Sequence, residues 1–344
     1  MQKKIIALAV AALASSAAFA QSNVTVYGIV DVGGLYQDGQ VGKNQFSVNS
    51  GVLSTSRLGF KGVEDLGNGL KAVFTLEYGL NVDANAGIGG TVTSTSTNAR
   101  QQFVGLTGGF GTVIAGRLQT TGYDFTVAGS ALGGSTGIGA TSVVGGPGAN
   151  GGTTLLSAFS RANNAVAYVS PSFGGVTFAY NHARMTEAAL NTNTADGYAN
   201  LLSASYAAGP ITAGLAYGKL SAANTPLSDD HKEWGIRGGY DFGVAKLQAT
   251  YQQQKNDATS AVGKDKKYVV SLSAPIGAKV AVIGEYAKLA KDSTSIADDS
   301  KAFTLASTYA LSKRTTGYAA FVHLNPEGSD NNVNTYGVGV RHSF

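Results

Sequence analysis

The sequence predicts an all-β chain, a transmembrane antiparallel up-and-down β-barrel of about sixteen strands. Three observations predict it. Segment after segment alternates apolar with polar residues, the period at which successive side chains of an extended chain point to opposite faces. Short turns alternate strictly with longer polar stretches. Past residue 20 no long uninterrupted apolar run occurs, so no helix there supplies the roughly 20 apolar residues that cross a hydrocarbon core of about 30 Å.

The N-terminus comes first. Lys3 and Lys4 form a basic region, Ile5 to Ala14 an apolar one, and Ala18-Phe19-Ala20 an A-x-A cleavage site. This is the pattern of a secretory signal peptide. A spanning helix is the competing reading, but the apolar run is too short. Residues 1–20 are therefore expected to be removed after export, leaving residues 21–344 as a single barrel domain.

Strands follow in order. Val176, Phe178 and Tyr180 share one face, as do Ile211, Ala213, Leu215 and Tyr217. Trp234, Ile236, Gly238 and Tyr240 oppose Glu233, Gly235, Arg237 and Asp241; Leu247, Ala249 and Tyr251 oppose Gln248, Thr250 and Gln252. These periods suit strands and not helices. At the end of the chain Tyr336, Val338, Val340, His342 and Phe344 share an apolar face, with Gly337, Gly339, Arg341 and Ser343 opposite. The segments near 24–35 and 315–324 can be phased either way.

Tight turns are expected at 65–69, 108–111, 171–175, 209–210, 242–243, 275–277 and 312–314, where Gly, Pro, Asn and Asp concentrate. Longer polar connections are expected near 37–54, 83–98, 119–160, 185–196, 221–231, 256–266, 290–299 and 325–333. Seven turns and eight loops imply sixteen strands with both termini on the short-turn side. Short periplasmic turns with long external loops are the outer-membrane barrel pattern. A sheet in lipid must close, because an open edge leaves N–H and C=O groups unpaired. At sixteen strands the lumen is too wide for side chains to fill.

Composition agrees. Only 13% of residues are charged, against about 25% in soluble domains. Without Lys3 and Lys4, 23 Lys plus Arg (25 less 2) face 21 Asp plus Glu, a balance that favours no nucleic-acid partner. There is no cysteine, so stability after export rests on hydrogen-bonded strands and not on disulfides. A secreted β-sandwich adhesin is the alternative; its interior would have to be more apolar than faces of Gly, Thr, Gln and Ser.

The third connection is exceptional. It runs from 119 to 160, and its stretch 129–152 contains ten glycines. Loops of that length are functional or disordered. A disordered surface loop is one reading. Folding back into the barrel to narrow it is the other, since glycine lets backbone pack closely against a wall.

Several blocks resemble the general Gram-negative outer-membrane porins of the neisserial and Burkholderia type. They are Val24-Thr-Val-Tyr-Gly28, the run from Ser56-Arg-Leu-Gly-Phe60 to Leu76-Glu77, Arg100-Gln-Gln-Phe-Val-Gly-Leu106, Phe110-Gly-Thr-Val-Ile-Ala-Gly-Arg117, Arg161-Ala-Asn-Asn-Ala165 and the Tyr-x-Val-Gly-Val-Arg-His-x-Phe end. The resemblance implies a homotrimeric channel in the cell outer membrane, in contact with lipid and lipopolysaccharide, that passes small hydrophilic solutes and anions by passive diffusion. It also implies that the third loop lines the constriction. Phe344, with the apolar face Tyr336, Val338, Val340 and His342, would belong to the signal read by the barrel-insertion machinery.

In that family arginines at the corresponding blocks face the lumen. Here they are Arg57, Arg100, Arg117 and Arg161. Phasing points Arg57 and Arg161 inward, since Leu58 and Phe60, and Val166 and Tyr168, take the opposite faces. Arg117 opposes Ile114 and is expected inward too. Arg100 shares the parity of Val104 and Leu106, so it faces inward only if a bulge intervenes. Asp124 is the only carboxylate between 119 and 160, and Glu77 is the inward acid on the adjoining wall. Arginine stays charged and basic rings in pores favour anions, so weak to moderate anion selectivity is expected. For each arginine the alternative is pairing with an acid inside the lumen.

No enzyme, cofactor or metal is expected. Gly137-Ile-Gly139 lacks the remainder of a nucleotide loop, the four histidines lack metal-ligand spacing, and no G-x-S-x-G elbow occurs. A substrate-specific channel and an outer-membrane hydrolase are the competing functions. The first is weakened by a single Trp and outward-phased Tyr, the second by the lack of a serine motif.

Overall fold

A computed structural model describes residues 23–39, 44–90, 99–144, 156, 159–186, 197–221, 231–256, 263–292, 299–326 and 332–344. The expected signal peptide and the stretch 145–152 of the glycine-rich region lie outside the described residues. Seventeen strand segments are present. They are β1 (Asn23–Asp38), β2 (Gln45–Ser50), β3 (Arg57–Gly67), β4 (Leu70–Gly79), β5 (Ala99–Gly108) and β6 (Gly111–Gln119). After the long third connection come β7 (Arg161–Val169), β8 (Val176–Thr186), β9 (Gly197–Ala208), β10 (Ile211–Ser221), β11 (His231–Asp241) and β12 (Lys246–Asn256). The last five are β13 (Gly263–Ile276), β14 (Val280–Ala290), β15 (Ser300–Ala310), β16 (Thr315–Pro326) and β17 (Val333–Ser343).

Every neighbour pairs antiparallel, and β17 returns to β1 with Val32 opposite Val340. The cylinder is closed. Segments β2 and β3 share one edge of β1, in the registers Val32 to Ser50 and Ile29 to Arg57, so the seventeen segments make sixteen barrel strands. Thus the expected first loop, 37–54, contains a strand. Its signal is the alternation of Phe46 and Val48 with Ser47 and Asn49, masked by polar flanks. Between β2 and β3 residues 51–56 leave the wall in a bend.

Faces separate as the period requires. Val104, Leu215, Ile236, Val270, Leu305 and Val338 are exposed on the outer face, where a membrane barrel presents its apolar band. Gln252, Lys267, Glu285 and Thr304 are buried on the inner one. The two segments that could be phased either way resolve: Val24 and Val26 point outward and Asp31 and Leu35 inward, while Tyr318 and Val322 are buried inward. All seven short turns fall between the expected strands. Gly243 and Gly277 take φ of 80° and 67° there, a region that costs glycine little.

The third connection is not uniformly irregular. Thr120 caps a helix, Thr121–Val127, its hydroxyl accepting from the Tyr123 N–H, as short polar side chains do at an N-cap. A second helical turn spans Ala140–Val143. Period 2 reading does not detect either one. Between strands, inner-wall side chains bind this segment. Phe125 and Leu156 pack with Ala199, Leu201 and Ala216; Ile138 packs with Leu35, Val52, Tyr318 and Val322; Ala140 and Val144 pack with Val269, Ala287 and Leu289. Each large apolar side chain so buried contributes about 1.5–3 kcal/mol.

Candidate functional site

On β3, Arg57 shares the parity of Gly59 and Lys61, away from the outward Phe60. Gly59 leaves room for Tyr27: a Cβ there would come 2.4 Å from its ring and force the ring to shift. Space left by that glycine lets Tyr27 reach across and donate to Glu77 Oε2 at 3.0 Å. Glu77 Oε1 accepts from Arg100 Nε at 2.7 Å, and both side chains are nearly buried. Arg100 gets there through the bulge that its parity demands. The β4–β5 register shifts between Glu77 and Tyr78, with Gln101 and Ala99 as their partners, so Arg100 is the extra residue.

Arg161 begins β7. Its Nη2 donates to Gln119 Oε1 at 3.1 Å and its Nη1 to Ser160 Oγ at 3.4 Å, while the guanidinium lies 5.2 Å from the centre of the Tyr123 ring. Arg57 Nε donates to the Thr55 carbonyl at 3.0 Å. Arg57, Arg100 and Arg161 stand within electrostatic reach of one another, of Glu77 and, for Arg57 and Arg161, of Tyr123. Of these three, Arg100 alone has an ion pair among the described residues. The alternative of acid pairing therefore describes one arginine of the group.

Arg117 is a correction. It pairs with Gln102 in a regular register that puts Val104 opposite Ala115, and Val104 is 62% exposed on the outer face. Ile114 packs in a cluster with the buried Leu118 and Ala165. Opposition to Ile114 therefore turns Arg117 outward: the apolar Ile114 faces the inside, against the third connection's flank. There Arg117 Nε donates to the Ala99 carbonyl at 2.5 Å and Nη1 to Asn163 Oδ1.

Asp124 lies in the first turn of the helix Thr121–Val127 and accepts from Gln119 Nε2. Its own surface is open, but protein fills most of the volume around it. That desolvation raises its carboxyl above the ordinary carboxylate value, against the opposing effects of the Gln119 hydrogen bond and the Arg161 charge.

Several residues escaped the sequence reading. Lys61 lies 5.2 Å from the Tyr27 ring centre and adds a cation to the same wall. Glu285 accepts from Ser130 Oγ, from the Thr141 N–H at 2.8 Å and from the Leu132 N–H at 3.4 Å. Lys267 Nζ donates to the Thr141 carbonyl at 2.9 Å, and Glu233 Oε2 accepts from the Leu156 N–H at 2.7 Å. Asp31, fully buried, accepts from the Leu53 N–H at 2.9 Å and from Tyr318 at 2.6 Å. The bend it holds receives Ser135, which donates to the Val52 carbonyl at 2.8 Å. The available signal was a charged residue at inward parity in an apolar strand. No group of three His, Cys, Asp or Glu that could hold a metal occurs among the described residues.

A family profile described as Gram-negative porin matches residues 7–329. The outer membrane porin protein 32 of Delftia acidovorans is 34% identical, with all of both chains covered. The major outer membrane protein P.IB of Neisseria gonorrhoeae is 43% identical over 35% of this chain and 33% of its own length. Among solved structures, an anion-selective porin from Comamonas acidovorans superposes with a TM-score of 0.77 at 30% identity, covering 94% of this chain and 100% of that one.

Proposed function

Because this chain belongs to the family of Gram-negative porins, we propose that the basic wall of Arg57, Arg100 and Arg161 biases its diffusion channel toward anions. The protein is an outer-membrane porin, a passive channel and not an enzyme. One observation carries the selectivity. Arg57 and Arg161 form no ion pair among the described residues, whereas Glu77 is committed to Arg100 and Asp124 accepts from Gln119. Fixed cations at a narrow point concentrate anions.

In this reading the segment 120–144 crosses the lumen and narrows it, anchored on the inner wall through Asn181, Glu285, Thr304 and the bend 51–56. Residues 1–20 direct export and 21–344 form one barrel domain. Three copies assemble side by side in lipid and lipopolysaccharide, and the outward residues Tyr336, Val338, Val340, His342 and Phe344 present the face that the insertion machinery reads. Arg117, outside the lumen, takes no part in selectivity.

Reversal potential under a salt gradient across a planar bilayer tests the assignment. An anion preference in the wild type that shrinks in Arg161→Ala and Arg57→Ala, and stays unchanged in Arg117→Ala, is expected. A cation preference, or no response to Arg57 and Arg161, would overturn it.

A further inference from the structure

On the short-turn side of the helix Thr121–Val127 the lumen holds a cavity of about 640 Å³ whose lining includes Arg237, Lys246, Ser205, Thr212, Gln248 and Ser273. No carboxylate among the described residues lines it. Arg57, Arg100 and Arg161 lie within the first two residues of their strands, at the long-loop ends, whereas this recess adjoins the turn ends of β9 to β14. Its cations thus occupy a second level along the pore axis.

Arg237 is held flat against the wall. Gly214 stands opposite it in register, where a Cβ would come 2.7 Å from Nε. Nη2 donates to Ser205 Oγ at 3.2 Å, and the guanidinium lies 5.8 Å from the centre of the Phe125 ring. The Phe125 ring is itself seated over Gly235, where a Cβ would come within 2.7 Å. Arg237 has no ion pair among the described residues. Asp241 stands opposite Lys246 in register, and its Oδ1 accepts from the Gly243 N–H at 2.8 Å.

We infer that this recess is a second anion station, on the periplasmic side of the constriction, which takes a small organic dianion. Two cations on adjacent strands address two negative groups, the hydroxyls of Ser205, Thr212 and Ser273 supply further donors, and Ala128, Ala131 and Ile283 flank a short hydrocarbon spine. The guanidinium's rigid fork suits a carboxylate. The inference rests on the reading of the lumen as an anion path and gives it a second step.

The test uses the full-length porin, processed and refolded, in a planar bilayer with succinate added to both sides at fixed chloride activity; butyrate, with one charge and the same carbon count, is the control. Succinate is expected to reduce chloride current saturably, butyrate only weakly. The succinate concentration for half-effect should rise about tenfold in Arg237→Gln and in Lys246→Gln, and by less in Arg237→Lys, which keeps the charge but loses the fork. Equal succinate inhibition in wild type and both Gln variants, or equal inhibition by butyrate, would overturn the station. If Arg237→Gln fails to insert, Lys246→Gln carries the test. Reversal potential in the same membranes separates the two ideas: a cation-preferring wild type sinks the Arg57 and Arg161 assignment, while loss of succinate inhibition in the Gln variants still establishes the recess.

Discussion

At Glu77 two functions meet in one carboxylate, which neutralises Arg100 and positions Tyr27. Removing one partner of a nearly buried pair strands the other, at a cost of about 3–5 kcal/mol. Glu77→Ala is therefore expected to lower the temperature at which the barrel loses its heat-resistant electrophoretic mobility and, in the channels that fold, to strengthen anion preference. Asp124 yields a pH effect. Because its carboxyl sits above the ordinary value, it loses its negative charge earlier than a free carboxylate as pH falls. Anion preference should rise on acidification, starting above the usual carboxylate range, and Asp124→Asn should flatten that rise; identical pH curves would contradict it. Arg57 was legible by parity, because it opens a strand whose register with β1 is regular. Arg161 is separated from Val166 and Tyr168 by a shift in the β6–β7 register, so its parity cannot be counted along the strand. Arg100 depended on a bulge and Arg117 on which face Ile114 takes, and neither is a property of one strand alone.

Strands and turns were legible because their signals are local: two-residue alternation and turn chemistry need no distant partner. The helix Thr121–Val127 and the bend 51–56 were not. Each is stabilised mainly by side chains of other strands, the helix by Asn181 and Ser203 and the bend by Asp31. Glu285 is the element-scale anchor, since it serves Ser130, Leu132 and Thr141 together. Glu285→Ala leaves buried donors unmet, at about 1–3 kcal/mol each. Single-channel recording should then show larger, noisier openings as segment 130–141 loosens; wild-type traces would show that the apolar contacts of Ile138 and Val144 suffice.

For the whole molecule, closure is what makes the outer face intolerant. Val338 is 64% exposed on β17, beside the seam with β1. Val338→Lys places a charge against lipid, costing about 2–4 kcal/mol near the midplane, and should reduce the folded fraction in vesicle refolding followed by band shift. Lys61→Gln, on the inner wall, should refold as the wild type does. By itself the sequence determined the barrel, its strand count, the turn positions and the apolar belt, because alternation is written residue by residue and lipid permits only a closed sheet. Tertiary structure alone decided which side chains meet across the lumen. Bulges at Arg100 and Gly116, the bend at 51–56 and the seating of segment 120–144 set those meetings, and each depends on the register of neighbouring strands and the curvature of the closed wall, which no single segment encodes.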